Sequence, residues 1–208
     1  MSLFNEVEKE FGSPVTPYPF QHEVLEAAKK YPKRLLRLDV GGGKTYCSIW
    51  IALWHTCQDL AEQIICIVPA PLVTQWAEVW QDFDVDVIAY QGTPAQRKKL
   101  DIENAGVIVL SKNIFRQEWL RTEKVEVNGR EKKRKRPGRM QKAFADDVTI
   151  IFDEMQDGLR KSSNKIWKHV NSLAAGNQLI TLSATPVSAP GDVFGVVKIL
   201  GSQAYRTK

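Results

Sequence analysis

The stretch RLLRLDVGGGKT, from Arg34 to Thr45, decides the fold. A leucine-rich run, a glycine-rich turn and a Lys-Thr pair opening a helix give the strand, loop and helix order of a phosphate loop. Glycines at Gly41, Gly42 and Gly43 let the backbone curl so that successive N–H groups face an anion, and the following helix adds the positive end of its dipole. Lys44 is expected to reach the outer phosphates of a nucleotide and the Thr45 hydroxyl to hold Mg²⁺. The full pattern asks for Gly where Leu38 stands, so the match is to the shorter G-x-G-K-T form. A plain glycine-rich turn is the competing reading of these residues alone.

Working outward, short β-branched or leucine-rich runs occur at Arg34 to Leu38, Ile64 to Val68, Val85 to Tyr90, Val107 to Leu110, Val148 to Phe152 and Leu179 to Leu182. Helical patterns separate most of them, notably Thr45 to Cys57, Leu72 to Phe83 and Ile166 to Leu173, with a last helix over Asp192 to Leu200. This alternation predicts an α/β domain with a mostly parallel sheet and helices on both faces. The runs are apolar throughout, as strands buried on both sides require. Two helices should precede them: one carrying Leu3, Phe4, Val7 and Phe11, broken by Gly12 and Pro14, and one over Phe20 to Tyr31 ended by Pro32.

The 208 residues suit one large domain, and no apolar run is long enough for a helical membrane span. With no basic and apolar signal at its start, the chain is expected to be intracellular and without membrane contact. Cys47, Cys57 and Cys66 form no C-x-x-C pair, so buried thiols are expected and zinc is not. The formal charge of +5 is uneven: residues 116–142 hold eleven Lys or Arg against four Glu, a net +7, leaving the rest at −2. Within that segment, Arg121 to Met140 breaks the rhythm with Val125 and Val127 in alternation, an Asn128-Gly129 turn signal, and a run of bases. It reads as an insertion at about 121–142, either a hairpin or a disordered loop. Lys132, Lys133, Arg134, Lys135 and Arg136 fit a phosphate-backbone contact, a localisation signal or a solvated face.

Asp153 and Glu154 follow the run VTIIF, so both carboxylates are expected at the carboxyl edge of the sheet, facing the phosphates. There one acid can serve the Mg²⁺ shell and its neighbour can deprotonate the attacking water. After the last run comes Ser183-Ala184-Thr185-Pro186, small hydroxyl residues suited to sensing a nucleotide. Trp76 and Trp80 complete an apolar stripe and are read as core before base-stacking, as are Trp50 and Trp54. Phe20, just before a helix, is read as a staple into the core ahead of an adenine contact.

Taken in order, these motifs resemble the first RecA-like motor domain of superfamily-two helicases, most of all the Swi/Snf-type DNA translocases. The resemblance runs over nearly the whole chain. Gln21 is similar to the adenine-reading glutamine of that family, GGGKT at Gly41 to Thr45 to motif I, and DEMQ at Asp153 to Gln156 to motif II. IVPAPLVTQW (Ile67 to Trp76) resembles motif Ia, VIVLSKNIF (Val107 to Phe115) motif Ib, and LSATP (Leu182 to Pro186) motif III. GLRKSSNKIWKHV after motif II is similar to the Swi/Snf-type stretch there. The division implied is helices with the glutamine motif over 1–31 and a RecA-like domain over 32–208.

The resemblance implies ATP and Mg²⁺ as cofactors and Lys44, Asp153 and Glu154 as catalytic residues. It implies coupling through Gln156, Ser183 and Thr185, and nucleic-acid contacts at Pro69, Gln75, Ser111 and Lys112. Met155 and Gln156 stand where Ala or Gly and His or Asp are usual, which puts the fine coupling at the fourth position in question. It further implies a second RecA-like domain, in cis or in trans, supplying an arginine finger, with duplex DNA as the track. The chain stops soon after motif III, so that second domain is expected to be missing from it. A module that binds nucleic acid with little hydrolysis is the alternative, and a small-molecule P-loop kinase a third reading that leaves LSATP and motif Ia unexplained.

Overall fold

The computed structural model describes residues 1–127, 130–144 and 146–201. Six parallel strands form one sheet: β1 (Lys33–Leu36), β2 (Gln63–Val68), β3 (Val87–Tyr90), β4 (Val107–Ser111), and two later strands. Between β4 and the later pair the chain leaves the sheet as an antiparallel hairpin of β5 (Leu120–Val127) and β6 (Arg130–Pro137). It returns as β7 (Val148–Phe152) and β8 (Gln178–Leu182), giving the spatial order β1-β8-β7-β2-β4-β3.

Period-two alternation of apolar side chains splits the interior into two cores, one on each face of the sheet. Ile64, Cys66, Val68, Val109, Ile151 and Ile180 face the first, covered by α1 (Leu3–Phe11), α2 (Pro19–Ala28), α3 (Lys44–Cys57) and α4 (Val73–Gln81). Ile65, Ile67, Ile108, Leu110, Ile150 and Phe152 face the second. Past α5 (Pro94–Arg97), that second face is covered by α6 (Lys112–Trp119), α7 (Arg139–Ala143), α8 (Lys165–Leu173) and α9 (Pro190–Ile199). The expected parallel sheet with helices on both faces is therefore the observed one.

The boundaries shift for local reasons. β1 ends at Leu36, opposite the last residue of β8, because no neighbouring strand continues beyond Leu182 to pair with Arg37 and Leu38. β3 begins at Val87, since Asp84 takes a left-handed φ of 51° that interrupts extended backbone before it. The helix expected from Leu72 is a 3₁₀ turn over Ala70–Leu72 followed by α4. Trp76, Trp80, Trp50 and Trp54 are core residues, and Cys47 and Cys66 are buried, while Cys57 is half-buried. Phe20 departs from expectation: it is exposed and stacks on Tyr18 at 6.1 Å instead of entering the core.

The two leading helices share the first core. Leu3, Phe4, Val7 and Leu25 are buried there, and the Trp54 indole N–H donates to Glu6 at 3.1 Å. Of the two readings of the insertion, the hairpin holds, though its Asn128-Gly129 turn lies outside the described residues. Among the described residues no helix is long and apolar enough to cross a membrane.

Candidate nucleotide site and acidic pair

Because all six strands run the same way, the loops after β1, β2, β7 and β8 gather at one edge of the sheet. A cleft of about 370 Å³ opens there, lined by Gly41, Gly43, Lys44, Thr45, Asp153 and Glu154 among others. Gly41 and Gly43 sit at φ of 81° and 75°, which side chains with a Cβ avoid, and Gly43 caps α3. Lys44 opens that helix, and its Nζ donates to the carbonyls of Leu38 and Asp39 at 2.9 and 3.0 Å across the curl of the loop.

Gln21 is the loop's clamp. It is 3% exposed, its Nε2 donates to Gly42 O at 3.1 Å, and its Oε1 accepts from Tyr18 N at 2.8 Å. A Cβ at Gly43 would lie 2.2 Å from that amide, so a side chain there would displace the Gln21 amide from Gly42 O in addition to straining a φ of 75°. The residue expected to read adenine thus ties α2 to the phosphate loop through its own amide. Gln21→Ala removes both bonds and leaves the half-buried Gly42 O short of a partner, a loss on the order of 1 kcal/mol. Expressed in binding, nucleotide affinity should fall several-fold, as a titration with a fluorescent ATP analogue would show.

At the end of β7, Asp153 N donates to Ile67 O at 2.9 Å, which fixes the carboxylate beside β2. Asp153 is 8% exposed. Burial pushes its carboxyl above the ordinary range and the neighbouring Glu154 adds to the push, while the Glu154 backbone amide, Lys112 and the Trp76 indole pull the other way. Glu154 itself takes φ 48° and ψ 63°, a left-handed conformation that costs a non-glycine residue on the order of 1 kcal/mol or more. That turn aims the two adjacent carboxylates differently, and both border the cleft.

Gln156 extends the site. Its Nε2 donates to Glu154 Oε2, its Oε1 accepts from Ser183 Oγ at 2.6 Å, and Ser183 Oγ in turn accepts from Thr185 N at 3.0 Å. A continuous hydrogen-bond chain therefore runs from the acidic pair to the loop after β8. A glutamine serves here because its amide donates at one end and accepts at the other. Arg160 braces the same loop, donating to Thr185 O at 2.6 Å, Pro186 O at 3.2 Å and Ser188 Oγ at 2.9 Å.

The residues expected on nucleic acid are distributed differently. Pro69 is half-buried at the start of the 3₁₀ turn, and Gln75 is exposed but lines the nucleotide cleft. Ser111 is buried, and its hydroxyl caps α6 by accepting from Ile114 N at 3.3 Å. Lys112 donates to Glu154 O at 2.9 Å and pairs with Asp157 at 3.3 Å, so its ammonium supports the acidic loop from behind. The five bases from Lys132 to Arg136 lie on β6, where alternation puts Lys133 and Lys135 on one face and Lys132, Arg134 and Arg136 on the other. Sequence reasoning missed Trp76 beside Asp153, Arg160 across the two loops, and Lys112 beneath Glu154. Each depends on loops from different strands meeting, which no spacing along the chain reveals.

Residues 18–193, most of the chain, match the DEAD/DEAH box helicase family. The chain belongs to that family. As a DEAD/DEAH box helicase domain it is a helicase-type ATP-binding domain, and residues of the glycine-rich loop and the acidic pair line its cleft. No curated protein matches it. Among solved structures, the Sulfolobus solfataricus SWI2/SNF2 ATPase core in complex with dsDNA superposes with a TM-score of 0.67 at 18% identity, covering 92% of this chain and 37% of that one. The Pyrococcus furiosus Hef helicase domain gives 0.66 at 20% identity, covering 97% and 38%. The UvsW helicase from bacteriophage T4 gives 0.57 at 17%, covering 93% and 64%. At these identities the likeness is one of fold, and the chain spans under two fifths of the first two proteins.

The donor set suits the Mg²⁺ that accompanies ATP in such domains. A hydroxyl at Thr45 and a buried carboxylate at Asp153 are hard oxygen ligands, and Mg²⁺ is commonly held by one or two carboxylates together with substrate phosphates. A cation there would offset the burial that raises Asp153.

Proposed function

We propose that this domain is the ATP-binding half of a nucleic-acid-dependent ATPase that moves on duplex DNA, completed by a second RecA-like domain in the same natural protein or another chain. The observation that carries the reading is the hydrogen-bond chain Glu154, Gln156, Ser183, Thr185, which links the acidic pair to the neighbouring loop. Such a link gives the nucleotide site a physical connection to the loop after β8, which a motor requires in order to report the state of its nucleotide.

In this reading Lys44 and the N–H groups of Gly41 to Thr45 hold the phosphates, Thr45 and Asp153 hold the metal, and Glu154 takes the proton of the attacking water. Bound Mg²⁺ supplies charge neutralisation on the phosphate oxygens. The exposed apolar side chains near the phosphate loop, Val40 at 91% and Phe20 at 45%, suit a covering domain. Such a domain would deliver the cationic finger that phosphoryl transfer gains from. Duplex DNA as the track is supported by the fold likeness to a SWI2/SNF2 ATPase core solved with dsDNA.

The test is nucleotide binding and ATP hydrolysis by the purified chain, with and without duplex DNA, beside Lys44→Ala. Wild type should bind ATP, and the variant should bind on the order of a hundred-fold more weakly, the usual cost of removing a charge partner from a desolvated site. Hydrolysis should be slow alone and rise when a second domain is supplied. Equal rates on duplex DNA and on RNA would remove the duplex assignment, and tight binding with no turnover under any condition would favour the nucleic-acid-binding module.

A further inference from the structure

The base of the hairpin and the outer side of the second helical layer enclose a groove of about 710 Å³, away from the nucleotide cleft. Its walls are Arg116 and Trp119 on α6, Lys135 on β6, and Lys165, Lys168 and His169 on α8. On α8 the spacing is i, i+3 and i+4, so those side chains share one face, while Ile166, Val170 and Leu173 anchor the opposite face in the second core. Three elements distant in sequence thus bring four permanent cations to one depression.

Among the described residues, the charges in this groove lack acidic partners. Elsewhere on the hairpin Lys124 pairs with Glu131 and Arg136 with Glu123. Among the described residues, Arg116, Lys135, Lys165 and Lys168 pair with no carboxylate. The field they set up registers on His169: after burial, Lys135, Arg116 and Lys165 hold its imidazole below the ordinary range. His169 Nδ1 and the Gln141 amide oxygen are also buried there without a hydrogen-bond partner, and turning that amide over would present its NH₂ as a donor. Unpaired cations beside unspent polar groups are a receptor for an anion.

We propose that this groove is a nucleic-acid-binding site that grips the phosphate backbone, additional to any contact at the sheet edge. The inference rests on the nucleic-acid reading given above. A repeating line of phosphates can neutralise cations from three elements at once, and neutral donors such as Ser172 match the mixed contacts that backbones receive. The hairpin geometry also divides the basic run. Thr122 and Lys135 lie opposite each other on the groove side, with Lys124 and Lys133 farther along the same face, while Lys132, Arg134 and Arg136 point away.

The experiment measures affinity for a fluorescently labelled duplex oligonucleotide by anisotropy over a series of salt concentrations, using the full chain. Three proteins are compared: wild type, Lys135→Ala/Lys165→Ala/Lys168→Ala, and Lys132→Ala/Arg134→Ala on the far face. Each phosphate contact contributes about 0.9 to the slope of log affinity against log salt, so the triple variant should lose about two to three units of slope. The far-face pair should keep the wild-type slope, and both variants should bind a fluorescent ATP analogue as wild type does. An arginine version of the triple variant should retain the slope, which separates charge from folding. An unchanged slope in the triple alanine variant overturns the proposal and leaves the groove to an acidic protein surface. Wild type that binds ATP but no duplex at low salt removes the nucleic-acid reading itself, and this site with it.

Discussion

Glu154→Gln should lower ATP hydrolysis about a thousand-fold while nucleotide affinity stays close to wild type, the range expected when a positioned general base is lost. The choice of glutamine matters because of what Glu154 already holds. Its Oε2 accepts from Gln156, and an amide oxygen at the same position can accept that bond too. The link onward to Ser183 and Thr185 is therefore kept, and what is removed is the capacity to take a proton. Its backbone asks for the same care, since a left-handed φ of 48° is set by the turn after β7 and is not relieved by this isosteric change. Single-turnover hydrolysis with saturating ATP, beside a direct binding titration, separates the two quantities. A large fall in affinity would place Glu154 in nucleotide binding, and an unchanged rate would remove it from the chemistry.

Much of this site was readable from the chain because its parts are local. A glycine-rich turn after a leucine run, and two acids after VTIIF, carry their own position at the carboxyl ends of parallel strands. The two-sided core was readable for the same reason, since apolar strands without polar alternation must be covered on both faces. What stayed hidden are contacts between loops. The resemblance names Gln156, Ser183 and Thr185 as coupling residues although Gln156 stands where His or Asp is usual, but the direct bridge from Gln156 to Ser183 depends on β7 and β8 being neighbours. Lys112 belongs to a motif linked with nucleic acid, yet its ammonium is drawn under Glu154 because α6 starts next to the loop after β7. Phe20 looked like a staple, but the adjoining Tyr18 offers a ring to stack on at the surface, and Leu25 fills the core in its stead.

Asp153→Asn should separate stability from function in opposite directions. The carboxyl is buried and its pKa is raised, with burial the leading cause and Glu154 the next. A raised acid pKa means the native state holds the proton more tightly than the unfolded chain does. Stability from this group is thus complete below the ordinary carboxylate range, about pH 4, and is lost as pH rises through the elevated value. At neutral pH the ionised carboxylate is a cost to the free protein that asparagine does not bear. The variant should accordingly melt higher, by about 2–4 °C if the relief is on the order of 1 kcal/mol in a chain of this size. That gap should close as pH falls below about 4, where wild type is protonated as well. With saturating Mg²⁺ and ATP the order should reverse. Wild type gains the linkage stabilisation of a bound ligand, about 2.7 kcal/mol at a hundred times its dissociation constant, and the variant, lacking a metal ligand, gains little. Thermal melts at several pH values, with and without Mg²⁺ and ATP, read both effects in one experiment. A variant that melts lower than wild type at neutral pH would mean that the bonds from Glu154 N and Trp76 outweigh the burial of the charge. A variant stabilised by Mg²⁺ and ATP as strongly as wild type would take Asp153 out of the metal site.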